Sequence, residues 1–166
     1  MAKTKKVNYE KAWHALAATR IALGFIFVWA FLDKLLGLGF ATPSPKAWLL
    51  GGSPTAGFLG GVKGPFSDFF NSMAGNPLVD WLFMLGLLGI GAALILGIGL
   101  RVAAVAGTLL LVMMWAASLP IKTNPLLDDH LIYAITLWVF AFGNRKWSLI
   151  ETWLRTDYVK KHSWLW

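Results

Sequence analysis

Asp128, Asp129 and His130 stand together at the start of an apolar run of near-membrane length. An imidazole beside two carboxylates can take up or release a proton near neutral pH. Two lysines, Lys34 and Lys122, fall at the ends of other apolar runs and can hold an anion. Asp33, Asp80 and Asn124 complete the polar set. Ionisable side chains at membrane depth are costly and are found paired or in working sites. The chemistry these types support is anion binding beside a proton-exchanging group. His130, Asp129 and Lys34 are the expected catalytic residues; Lys34, Lys122, Asn124, Asp33 and Asp80 are the expected substrate contacts. A structural role competes with each. Asp128 and Asp129 also suit a helix start, where acids cap free N–H groups. Lys34 can equally neutralise Asp33 or Asp80.

These residues must be positioned by apolar elements. The chain has 166 residues, 57% hydrophobic and 14% charged, outside the soluble range on both counts. Four apolar blocks predict helices over about 13–39, 77–100, 102–119 and 126–143. Each approaches the roughly 20 residues a helix needs to cross a bilayer. The expected fold is an all-α polytopic membrane four-helix bundle forming a single domain. The blocks around 21–32 and 131–142 have short apolar cores with charges at both ends. Those charges either snorkel to the interfaces or face protein. Gly89, Ala93 and Gly97 make a small-residue face suited to close helix packing. Between the first two blocks, residues 40–76 form a Gly- and Pro-rich outer loop, expected to cap the bundle mouth and shape a site. Phe66, Phe69, Phe70 and Met73 follow helical spacing within it. In the tail, 144–166, Trp147, Ile150, Leu154 and Tyr158 read as an interfacial helix.

Charge orients the chain. With four crossings, eleven of the 15 Lys and Arg residues fall on the side of the termini, including Lys3, Lys5, Lys6, Arg20, Arg101 and Arg145. Such a bias puts both termini in the cytoplasm and the chain in the cytoplasmic (inner) membrane. The net charge of +7 then needs membrane lipids as partners, and no nucleic acid. There is no cysteine, so thiolate metal sites, disulfides and iron–sulfur clusters are excluded. His14, His130 and His162 are not spaced as a facing haem pair, and one histidine with two adjacent acids is a poor metal set. No flavin or nucleotide motif is present, so no haem, metal or flavin is expected.

The stretches RIALGFIFVWAFLDKL (20–35), SPTAGFL (53–59), DWLFMLGLLGIGAALILGIGLRVAA (80–104) and NPLLDDHLIYA (124–134) resemble the DoxX/DoxD family of small four-helix membrane proteins. The resemblance is closest to DoxD, the small subunit of thiosulfate:quinone oxidoreductase. It implies thiosulfate oxidation coupled to quinone reduction, with a second small subunit as partner. On that reading Lys34, Lys122 and His130 hold the sulfur oxyanion, and His130 or Asp129 accepts the proton of a reduced quinone. Trp29 and Trp138 are the expected quinone-stacking residues, and quinone is bound as a substrate. The alternative is a non-catalytic accessory subunit of a larger respiratory or other membrane complex.

Overall fold

The computed structural model describes residues 9–122, 124–143 and 146–165; it is all-helical, with no strand among the described residues. Lys3, Lys5, Lys6, Arg145 and Trp166, which the sequence assigns to the basic side and the tail, lie outside them.

The first helix, α1, spans Glu10–Leu36. It stops because Gly37 turns left-handed (φ 66°) and its N–H bonds to the Asp33 carbonyl at 2.8 Å. Two short helices follow, α2 (Ala56–Leu59) and α3 (Ser67–Met73). Helix α4 (Pro77–Leu96) begins with Pro77 in its first turn and Asn76 as its cap, which accepts from the Leu78 N–H at 2.9 Å. Gly97 and Gly99, both at positive φ, end α4 and lead into α5 (Leu100–Ala117). Helix α6 covers Asp129–Gly143. The expected blocks are thus found as helices; Pro77 and Gly143 are met as expected, and the other ends shift by two to four residues.

Helix α1 packs along α4, α4 on α5, and α5 along α6. Gly24 lies against Gly91, and further along α1 Lys34 lies over Phe83, earlier in α4, so this pair is antiparallel. One core runs through all four helices and includes Leu23, Phe27, Met84, Ile90, Leu111, Leu137 and Phe140. The outward faces are also apolar: Phe25, Leu82, Leu85, Leu109, Ile135 and Phe142 are exposed. Only about a third of the apolar window of α1, α4 or α5 is buried inside the protein. Exposed apolar surface of that extent needs lipid around it. These three helices are long and apolar enough to cross a membrane; α6 is apolar but has 15 residues.

Two packing expectations are corrected. The Gly89, Ala93, Gly97 stripe does not form the close helix crossing. A Cβ on Gly89 would meet nothing within 4 Å, whereas Gly97 lies against Arg20 and Ser148. The close crossing uses Gly24 and Gly91 instead, where a Cβ on Gly91 would come within 2.7 Å of Val28. The tail is not one helix either. It forms α7 (Ile150–Arg155) and α8 (Asp157–Lys161), broken at Thr156, whose ψ of 126° is extended. Among its described residues Ile150 and Val159 are buried, while Trp147 and Tyr158 of the expected stripe are exposed.

The 40–76 segment does pack on the helices. Helix α3 forms as the Phe66, Phe69, Phe70, Met73 spacing predicts, and Phe70 joins Leu59, Val62 and Ala117 in a second small core. The loop therefore covers the end of α5.

Candidate functional site

The Asp128–His130 cluster is built by the first turn of α6. Asp128 Oδ1 accepts from the Leu131 N–H at 3.3 Å, the contact of an N-cap. Its other oxygen, Oδ2, lies 2.7 Å from His130 Nδ1. Asp129 Oδ1 lies 3.7 Å from the same nitrogen, on a side chain 68% exposed against 12% for Asp128. A carboxylate that receives the Nδ1 proton fixes the ring's orientation and tautomer. Both acids lie against Nδ1, so Nε2 is the ring nitrogen they leave unengaged. One ligand atom from each of Asp128, Asp129 and His130 lies within 4.8 Å of the others. The sequence spacing reads as a poor metal set, yet the turn brings the three atoms to a separation that a cation can bridge.

The two buried carboxylates serve the outer loop. Asp33 is 2% exposed; its oxygens accept from the Phe40 N–H at 3.2 Å and the Ala41 N–H at 3.1 Å. Asp80 is 5% exposed, and its Oδ1 accepts from Ser53 Oγ at 2.9 Å, the Thr55 N–H at 3.2 Å and Thr55 Oγ1. Buried charge is tolerated when such donors satisfy it. Both residues, expected as substrate contacts, hold backbone and hydroxyl donors of the segment after α1. The partners Ser53 and Thr55 carry no signal in the sequence that would pair them with Asp80.

Lys34 is half-buried, with Nζ 5.9 Å from the Phe83 ring centroid. Neither Asp33 nor Asp80 forms an ion pair with it among the described residues. Lys122 is exposed. Asn124 Oδ1 accepts from the Leu126 N–H at 2.9 Å and the Leu127 N–H at 3.0 Å, so it shapes the turn before α6. Lys34, Asp33 and Asp80 belong to the α1–α4 side, and the Asp128–His130 cluster belongs to α6. No hydrogen bond or ion pair joins the two groups among the described residues.

The two tryptophans expected to share a quinone are engaged separately. Trp29 packs against Phe25 and Phe40. Trp138 donates from Nε1 to Thr108 Oγ1 at 3.0 Å and stacks on Phe142. Among the described residues the two rings have no partner in common.

Arg20 lies at the opposite end of the helices and is fully buried. Its Nη2 donates to the Trp147 carbonyl at 2.6 Å, while Nε and Nη1 find no hydrogen-bond partner among the described residues. The sequence shows it as a charge near the edge of an apolar run that could face a partner or a quinone headgroup. Its burial comes from the tail folding back, where the Leu149 N–H also bonds to the Leu96 carbonyl at 2.9 Å.

Fold and surface define the class: an all-helical protein with three helices fit to cross a membrane and apolar flanks that call for lipid contact. No protein-family model matches the chain, and neither a curated protein nor a solved structure matches it.

Proposed function

We propose that the chain is a DoxX/DoxD-like subunit of the cytoplasmic membrane, crossing it four times with both termini inside, and that its outer end serves thiosulfate oxidation coupled to quinone reduction. The observation that carries this reading is the His130–Asp128 pair at 2.7 Å, with Asp128 also capping α6. It makes His130 an oriented proton-exchanging group at the membrane surface. Lys34 is a half-buried cation without an ion-pair partner among the described residues, suited to an anionic substrate. Two thiosulfate ions join through a new sulfur–sulfur bond to give tetrathionate and release two electrons. A quinone takes those electrons and two protons to become the quinol. His130 Nε2 passes protons to the quinone in this direction and accepts them in the reverse. The electrons pass directly between bound substrates or through a second small subunit. The test is thiosulfate-dependent quinone reduction by membranes carrying His130→Ala or Lys34→Ala at wild-type abundance. The expected result is loss of the activity in both; wild-type rates in both would sink the reading.

One observation favours the accessory role. Asp33, Asp80 and Asn124 spend their acceptors on the chain's own loops. An accessory subunit purifies from native membranes in mild detergent with larger subunits at fixed ratio. A catalytic one purifies alone or with one small partner and keeps the activity.

A further inference from the structure

Between α4 and α5 a groove of about 500 Å³ opens on the outside of the helices. That volume is within the range of small-molecule sites. Gly86, Gly89 and Ala93 of α4 form one wall, and Ala103 and Ala106 of α5 form the other. Trp153 and Trp164 close the end nearest the tail. The groove exists because these positions are small. A Cβ on Gly89 would touch nothing, and one on Gly86 would only reach Leu110 at 3.8 Å.

Its length says what fits. Along α4 it runs from Leu85 to Leu96. At 1.5 Å per residue that is about 17 Å. The hydrocarbon layer is about 30 Å thick, so the groove is about one leaflet deep. A crossing helix needs a face that continues through both leaflets, and this one stops near the middle. At the tail end stand cations. Arg101 precedes the groove residue Val102, is exposed, and donates to the Ser163 carbonyl at 3.2 Å, beside Trp164. Lys161 is exposed on α8. Neither has a carboxylate partner among the described residues. A neutral headgroup has no need of them; an anionic one does. We infer that this groove holds one acyl chain of an anionic phospholipid from the tail-side leaflet, with its headgroup at Arg101. The inference rests on the chain crossing a membrane and is independent of any redox activity.

The experiment uses the full chain, delipidated in mild detergent and titrated with phosphatidylglycerol or phosphatidylcholine. The readouts are native mass spectrometry and the melting temperature followed by tryptophan fluorescence. Phosphatidylglycerol is expected to remain bound one per chain and to raise the melting temperature, with at least tenfold weaker retention of phosphatidylcholine. Gly89→Phe fills the groove from one wall, and Ala106→Phe from the other. Either folded variant should lose the retained lipid and the shift. Arg101→Gln should keep chain binding but lose the headgroup preference. Equal retention of phosphatidylglycerol by a folded groove variant would overturn the assignment, as would equal binding of both lipids by the wild type. A lipid-free dimer that either phenylalanine converts to monomer would overturn it in favour of a second copy of the chain.

Discussion

Replacing Asp80 by Asn removes charge from an oxygen that Ser53 and Thr55 share. Hydrogen bonds to charged groups contribute about 1.5–3 kcal/mol each, and an amide keeps part of that. Asp80→Asn is expected to cost about 2 kcal/mol, read as a lower melting temperature and faster proteolysis between residues 44 and 64. Asp128→Ala removes a cap worth about 1 kcal/mol and also releases the His130 ring. On the proposed function its quinone reduction falls further than its stability does. Asp129→Ala, on an exposed side chain, should spare both. An activity loss in Asp129→Ala as deep as in Asp128→Ala would remove Asp128 as the orienting group. The residue types of this cluster are legible in the sequence because they interrupt apolar runs. Their division of labour is not. Which acid faces His130 depends on the first turn of α6, and that Asp33 and Asp80 turn toward the loop depends on how residues 37–76 fold back.

At the level of the helices, the contrast between Gly89 and Gly91 is a direct check on the packing. Any side chain at Gly91 meets Val28 and the Gly24 carbonyl within about a bond length of overlap. Overpacking of this kind costs roughly 1–3 kcal/mol. Gly91→Leu should abolish monodisperse expression in detergent, while Gly89→Leu should express as the wild type does. Were the two alike, the α1–α4 register would be wrong. Gly97 carries two constraints at once: φ of 71° and the Arg20 guanidinium 2.5 Å from where a Cβ would stand. Gly97→Ala is expected to loosen the tail, measured as cleavage after residue 146. The helical blocks follow from apolar runs, and three of the four end near Gly or Pro as written. The small-residue stripe misleads because spacing marks a face without saying what covers it. The break at Thr156 escapes notice because the tail's apolar spacing continues across it.

For the molecule as a whole, the proposed four crossings put the loop containing Lys46 and the turn containing Lys122 on one side, with α8 on the other. The chain has no cysteine, so single replacements report cleanly. Lys46→Cys and Lys122→Cys should react with an impermeant maleimide from outside the cell, and Lys160→Cys only after permeabilisation. Labelling of all three in intact cells would mean that the segment between residues 122 and 160 does not cross, and labelling of Lys160→Cys alone would invert the orientation. The basic residues at the termini carry this expectation in the sequence alone. The number of crossings is harder to read there, because the fourth block is bounded by Asn124, Asp128 and their turn, which take residues from its helix.

That loss of a turn from α6 bears on the bilayer. Its 15 residues rise about 22 Å. Helix α1, with 27 residues, rises about 40 Å. A crossing by α6 that is shorter than the hydrocarbon layer is met by local thinning, at a modest free-energy cost for each ångström of mismatch. On the proposed four crossings, lipid beside α6 is drawn in more than lipid beside α1, and the surrounding bilayer is uneven around the protein. The chain then partitions toward thinner membranes, and short-chain lipids favour it over long-chain ones.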